Sequence, residues 1–380
     1  MTAILVLLAL VSIAGLTARV GGLELLLGST LPALFIGFLA GPSGLGYIDR
    51  ALADGLGLGR DAAVAWLGLS AAVGLVTRVR RRPAGSAAQS PDRPALARAV
   101  AVLALGVFAA ALLTALTARA LDVMLTPGAI ATLALVGAAV LLPFVDDRGP
   151  LGVALDALAI VALVAAIALG APPSVAFATL ATAAVGVLLG IVAHAVVLRE
   201  PARRVPALAA TLVVATGLAL AAGVHPGLVG VATGLGAAIV DRGPALAALV
   251  SATREPMRLV TAALIGLVVE PSVASTVVGC SLALGISSIV AALAPRRGAS
   301  EHAALRGARA STGSGLRAIA EHVASSSAGL FILGGVSARS FSDPSLGAIA
   351  PGALATAVIV ADALALAVVV GTRRPARSAP

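Results

Sequence analysis

The sequence predicts an all-α, polytopic membrane protein with about 13 transmembrane helices. Three observations carry that prediction. The 380 residues are 59 % hydrophobic and only 11 % charged, with a mean hydropathy of +1.07, whereas a soluble domain carries about 25 % charged residues. Apolar runs near the length of a bilayer-crossing helix, about 20 residues, recur along the whole chain between clusters of Arg, Pro and Gly. The arginines, finally, fall in a pattern that alternates with those runs.

The predicted spans are 2–18, 23–41, 62–78, 96–118, 126–145, 150–170, 174–197, 205–223, 227–240, 256–269, 272–294, 313–336 and 347–371. The first is read as a spanning helix and not a signal peptide, because it has no basic leader and no cleavage site. The longest loops, 78–94 and 295–312, are polar and Arg-rich, and residues 372–380 form a cytoplasmic tail. With the N-terminus outside, this count puts 22 of the 26 arginines on the cytoplasmic side, Arg242, Arg254 and Arg258 among them. Arg50, Arg60, Arg119 and Arg339 fall outside. A wrong span count would scramble this asymmetry, which therefore also supports a multi-pass orientation in the cytoplasmic membrane with the C-terminus inside.

Composition excludes several function classes. A net charge of +9 would suggest nucleic acid in a soluble protein, but here the positive-inside rule accounts for it. Cys280 is the single cysteine, so the chain can form no internal disulfide and no thiolate zinc cluster. No Ser-His-Asp set, metal cluster or nucleotide loop stands out; neither an enzyme nor a cofactor is expected.

The chemistry concentrates at 150–170, PLGVALDALAIVALVAAIALG, where the one charge is Asp156. A carboxylate inside a span costs about 2.5–3.5 kcal/mol on insertion scales, so it is retained by default for a use, most directly to bind a proton or a small cation. Interruptions in two other runs point to the same place. Pro143 stands near the inner end of the fifth span, and the twelfth carries Glu321, His322 and Ser325, Ser326 and Ser327. Polar or broken backbone at membrane depth is tolerated where it is buried in protein or lines water. The fifth and twelfth spans are seven apart, as are the sixth and thirteenth, which share similar text: DALAIVALV from Asp156 and DALALAVVV from Asp362. This suits two six-span repeats, about 1–170 and 205–371, joined by a linking helix at 174–197.

The run FIGFLAGPSGLGYI from Phe35 resembles the second span of the monovalent cation:proton antiporter superfamily, in its branch of sodium/proton and Kef-type potassium/proton exchangers. Weaker similarity follows from Trp66, WLGLSAAVGLVTRVRRR; from Gly137, GAAVLLPFVDDRGPLGVALDALAIVAL; and from His225, HPGLVGVATGLGAAIVDRGPALAALVSATREPMRLVTAALIGL. The resemblance implies a thirteen-span fold of two inverted repeats, with two interrupted helices crossing beside an acid on the sixth span. It implies a core domain set against a dimerisation domain, hence a homodimer in the bilayer, exchanging Na+ or K+ for protons. The chain departs from the family pattern in several places. The usual acid pair reads Leu155-Asp156, the eleventh-span base is matched by Ile286, and the acid after Gly74-Leu75 is Val76.

Asp156 is thus the candidate ion and proton site, competed for by cation and proton. Carbonyls around Pro143 and Ser325–Ser327 are a candidate cation shell, and Asp362 and Glu321 are candidate secondary relays, each with an alternative reading as a packing or wetted residue. GPSG at 41–44 reads as a helix stop and turn, His194 as a buried hydrogen-bonded residue, and His225-Pro226 as an outer turn. Two other classes stay open: a transport-inactive membrane scaffold or sensor, and a carrier of organic solutes on a related inverted-repeat fold.

Overall fold

The computed structural model describes residues 31–80, 93–141, 173–196, 204–241, 245–293 and 344–371. Among them every regular element is a helix. In chain order these are α1 Leu31–Ala40, α2 Arg50–Gly55, α3 Gly57–Arg80, α4 Arg93–Ala120, α5 Pro127–Leu141 and α6 Pro173–Val196. The remainder are α7 Arg204–Ala222, α8 Pro226–Val240, α9 Ala245–Gly266, α10 Val273–Leu293 and α11 Pro344–Gly371.

Local chemistry sets the helix ends. Thr126 precedes Pro127, and its Oγ1 accepts from the Ala129 N–H at 3.1 Å, so α5 begins on a side-chain cap followed by proline. Ser272 and Ser275 cap α10 reciprocally: the Ser275 N–H donates to Ser272 Oγ at 3.0 Å and the Ser272 N–H to Ser275 Oγ at 2.9 Å. At the start of α8, His225 Nδ1 accepts from the Gly227 N–H at 3.0 Å with Pro226 in the first turn. The GPSG stretch is a helix stop, as its composition predicts. The Leu45 N–H folds back to the Leu39 carbonyl and the Ile48 N–H to that of Ala40, and Gly46 supplies a φ of +69° that a side chain would oppose.

Two helices begin ahead of the apolar spans predicted for them. The apolar stretch of the tenth span starts at Pro256, as expected, but the helix that carries it, α9, begins at Ala245 and runs through that proline. Arg254 and Arg258, counted among the cytoplasmic arginines, therefore lie on a helix, and Arg258 is buried, with 2 % of its surface exposed. Likewise the third helix starts at Gly57 and not at 62. Arg60 sits in its first turn, 3.1 Å from the carboxylate of Asp61, which is itself buried.

Two helices among the described residues are long and apolar enough to cross a membrane, Gly57–Thr77 and Phe177–Ala195; the other apolar stretches there are 10–17 residues long. The exterior is apolar. On α6, Phe177, Leu180, Val185, Leu188 and Val192 form an exposed stripe, Phe177 being 75 % exposed. On α4, Val100, Leu105, Phe108, Leu112 and Leu116 form another. Inside lie Thr114, Thr132, Thr216, Thr233, Thr261, Ser275, Arg258 and Asp362.

Among the described residues, all extensive helix packing falls within two groups. In one, α1 packs on α9, α9 on α3, α3 on α8 and α7, and α8 on α6 and α7, with α2 lying against α3. In the other, α10 packs on α4, α5 and α11, and α5 also on α4 and α11. Each group draws helices from both halves of the chain. An apolar seam joins them: Leu34, Ile48 and Ala263 of the first share one buried cluster with Ala129, Leu133 and Val358 of the second.

Small residues bring the helix backbones together and reveal their directions. A β-carbon on Gly37 would stand 2.0 Å from the Ala263 carbonyl oxygen, and one on Gly41 2.7 Å from that of Leu267, so α1 and α9 run parallel. Gly230 and Gly234 of α8 stand in the same way against Ala65 and Leu69 of α3. Gly186 approaches Val229 and Ala232, and Gly190 approaches Thr233 and Ala237, so α6 and α8 are parallel as well. Gly352 meets Ser275 and Gly279 meets Ala353, which makes α10 and α11 parallel. By contrast Gly285 meets Ala110 while Ser281 bonds Thr117, so α4 and α10 are antiparallel.

Candidate functional site

Of the residues nominated by the sequence, Asp362 falls on the described part of the molecule. It lies in the C-terminal half of α11 and is 5 % exposed, with Val358 and Ala361 buried alongside. Asp156, Pro143, Ser325, Ser326, Ser327 and Glu321 lie outside the described residues, as do Leu155 and His322. The structure describes the helices around Asp362: α11 rests on α10 and α5. α5 ends at Leu141, two residues ahead of Pro143. Ile286, the position matching the absent base, is on α10.

The group that holds Asp362 has a polar interior of hydroxyls. Thr117 Oγ1 and Ser281 Oγ are 2.7 Å apart across the α4–α10 contact. The Ser281 hydroxyl also donates to the Val277 carbonyl at 3.0 Å. A serine has a single hydroxyl proton, so when it serves that carbonyl Thr117 is the donor of the interhelical bond. One turn back on α4, the Thr114 hydroxyl is fully buried and has no hydrogen-bond partner among the described residues. Thr132 of α5 and Thr356 of α11 instead return their hydroxyl protons to the carbonyl four residues earlier, as Thr216, Thr233 and Thr261 do in the other group. Arranged this way, the α4–α5–α10–α11 group presents oxygen atoms and one carboxylate inside an apolar shell. That chemistry suits a proton or a small hard cation.

Other polar groups lie in the first group, where sequence reasoning treated them singly. His194, read as a buried hydrogen-bonded residue, is largely enclosed in the last turn of α6; its Nε2 is 3.9 Å from Asp241 Oδ1. His225, read as an outer turn, is a buried helix cap. Arg80 donates to the backbone oxygens of Ile239, at 2.9 Å, and Asp241, closing the C-terminal end of α8. At another end, Arg50 pairs with Glu270 at 2.9 Å in an exposed contact. Arg258 and the glycine contacts escaped the sequence reading, although a signal existed: RDAAVAWLGL at 60–69 and RLVTAALIGL at 258–267 share Arg, Ala, Gly and Leu in step.

The chain matches no protein-family model, and no curated protein is similar to it.

Proposed function

We propose that the chain is a membrane-embedded secondary transporter that exchanges a monovalent cation, Na+ or K+, for protons, with Asp156 as the site for which the two compete. The observation that carries this reading is the division of the described helices into two groups, each assembled from both halves of the chain and meeting along an apolar seam. Alternating access needs two bodies that can shift past each other around a site, and interleaved repeats supply them.

Helix direction supports the thirteen-span count. On that count α1, α3, α4, α6, α8, α9, α10 and α11 are the second, third, fourth, seventh, ninth, tenth, eleventh and thirteenth spans. An alternating chain requires the second and tenth, third and ninth, seventh and ninth, and eleventh and thirteenth to be parallel, and the fourth and eleventh antiparallel. All five close contacts have the required sense. The repeat pairing also fits. Exchanging α1 with α8, α3 with α9 and α4 with α10 turns the α1–α9 contact into the α8–α3 contact and returns the other two pairs to themselves. Since α4 and α10 are antiparallel, the exchange is an inversion, as inverted-topology repeats demand.

The apolar stripes on α4 and α6 support a lipid setting, because a soluble protein does not expose apolar faces of this extent. Within it, Asp156 binds either a proton or a cation but not both, and this exclusion couples the two fluxes. Carbonyls near Pro143 and Ser325–Ser327 complete the cation's oxygen shell, with Asp362 and Glu321 as secondary carboxylates. The first group forms the scaffold and the homodimer contact, and the second carries the ion.

The test is dissipation of a proton gradient in vesicles reconstituted with the pure protein, on addition of sodium, potassium or lithium. Cation-dependent proton movement supports exchange. Silence toward all three, with the protein folded, moves the reading to a transport-inactive scaffold or a carrier of organic solutes.

A further inference from the structure

We propose that the hydroxyls of Thr114 and Thr117 hold a water molecule between α4 and α10, completing a chain of hydrogen bonds from Thr114 to the Val277 carbonyl. The site requires neither Asp156 nor transport. Two close contacts bracket it. Ser281 of α10 meets Thr117 at 2.7 Å, and Gly285, one turn further along α10, lies against Ala110 and Leu113. Positions 110, 114 and 117 share one face of α4, so Thr114 stands between the two contacts. Its side chain is fully buried there, and its hydroxyl has no hydrogen-bond partner among the described residues.

Counting hydroxyl protons defines what the site takes. The buried threonines Thr132, Thr216, Thr233 and Thr261 each donate to the carbonyl four residues back, whereas Thr114 does not. A buried donor without an acceptor costs its full desolvation, so this proton needs a partner. Ser281 spends its own proton on the Val277 carbonyl at 3.0 Å, and Thr117 then donates to Ser281. The Thr117 oxygen is left with lone pairs to offer. One turn of α4 therefore presents a donor at 114 and an acceptor at 117. Residues three apart on a helix have β-carbons about 5–6 Å apart, a separation that one molecule bonded to both side chains can span.

Water suits this pair and a metal ion does not. A cation takes lone pairs and has no acceptor for the Thr114 proton, while water accepts that proton and returns one of its own to Thr117. All the bonds then run in one direction, from Thr114 to water, from water to Thr117, from Thr117 to Ser281 and from Ser281 to the Val277 carbonyl. A buried water makes about two to four hydrogen bonds, of which Thr114 and Thr117 supply two. The molecule thereby ties a second turn of α4 into the α4–α10 contact, and it places an exchangeable polar group inside the helix group that holds Asp362.

Thermal unfolding midpoints of the full-length protein in detergent test the site. The parent, Thr114→Val, Thr117→Val and the double variant form a double-mutant cycle. Valine keeps the shape of threonine without its hydroxyl. Were the Thr114 hydroxyl without a ligand, replacing it by a methyl would leave the midpoint unchanged or raise it. The expected result is a lower midpoint for Thr114→Val. The loss in the double variant should also fall short of the two single losses together by about 1 °C or more, because both hydroxyls hold one molecule. An unchanged or raised midpoint for Thr114→Val overturns the proposal. So do additive losses, which would mean that the hydroxyl serves a group other than one shared with Thr117. Thr114→Ser and Thr114→Ala form a milder second pair, since both lack the methyl. Alanine is the better helix former and buries no hydroxyl, yet serine should have the higher midpoint. Alanine at or above serine overturns the site as well.

Discussion

Gly230 of α8 lies so close to Ala65 of α3 that a β-carbon on it would stand 2.0 Å from the Ala65 carbonyl oxygen. The same relationship holds between Gly37 of α1 and Ala263 of α9, at the same 2.0 Å. One turn further on, Gly234 meets Leu69 as Gly41 meets Leu267. Two helix pairs built from different parts of the chain are therefore joined by one device, a glycine pair four residues apart resting on an Ala and a Leu four residues apart. Backbones this close gain dispersion along their whole contact, which is how helices associate where no hydrophobic drive separates helix from lipid.

Alanine at either joint should be costly. The added methyl meets backbone that cannot rotate away, so Gly37→Ala and Gly230→Ala should each destabilise by about 1–3 kcal/mol, the range of overpacking. Gly217 on α7 is the control, because a β-carbon there meets nothing within 4 Å. Gly217→Ala should be neutral or gain up to about 1 kcal/mol from helix propensity. Unfolding midpoints of the purified variants check the ordering, and equal effects at all three positions would remove the joints from the account.

The extent to which the sequence foretold this arrangement differs by element. The GPSG stop and the short α8 were legible because they rest on local chemistry, the φ freedom of Gly46 and the Pro226 start. The beginning of α9 was not, because the turns before Pro256 carry Arg254 and Glu255 and fall outside the apolar run, yet are helical. Arg258 lay inside the predicted span, but its burial is set by tertiary packing. The glycine joints were hidden for another reason: a Gly-x-x-x-Gly pair is visible in the sequence, but the backbone it rests on is set by tertiary packing. His194 was singled out alone, and the parallel course of α6 and α8 sets its Nε2 3.9 Å from Asp241 Oδ1. Asp362, nominated as a secondary relay or a packing residue, is buried on α11, whereas Asp156 and the remaining nominated residues lie outside the described part of the molecule.

Surface labelling checks the membrane reading without any transport assay. With Cys280→Ala as background, a cysteine at Met124, which is 87 % exposed between α4 and α5, should react with an impermeant reagent from outside the cell. Cysteines at Gly85 and Gly298, in the two Arg-rich loops, should react only from the cytoplasmic side. Reaction of Met124→Cys from the inside, or of either loop from the outside, would break the thirteen-span topology.

Removing charge with little change in shape should separate the two carboxylates. Asp156→Asn is expected to abolish cation-dependent proton movement in vesicles while leaving a folded protein. Asp362→Asn should retain much of it, since on the proposed reading it serves as a secondary carboxylate. The reverse outcome, a silent Asp362→Asn beside an active Asp156→Asn, would exchange their roles.

The charge carried per cycle is the most specific consequence of the residues at the site. Exchangers of the superfamily that the sequence resembles, where they carry two acids on the sixth span, can move two protons for each cation. Here Leu155 stands in place of the first acid and Ile286 in place of the base on the eleventh span. The loss of both is coherent, because a buried charge deprived of its partner is costly whereas removal of the pair is not. On the proposed reading one carboxylate, Asp156, would exchange one proton for one monovalent cation, and no net charge would cross. A membrane potential acts on moved charge at about 2.3 kcal/mol per elementary charge per 100 mV. An electroneutral cycle has no charge for that potential to act on. Exchange in vesicles should therefore respond to imposed pH or cation gradients and stay unchanged under a potassium–valinomycin potential, once potassium is excluded as the substrate. Charge movement that reverses with the potential would mean that a second proton is carried. Asp362, buried in the same helix group as the hydroxyls of Thr114 and Thr117, would then be the first residue to neutralise, with Glu321 the second.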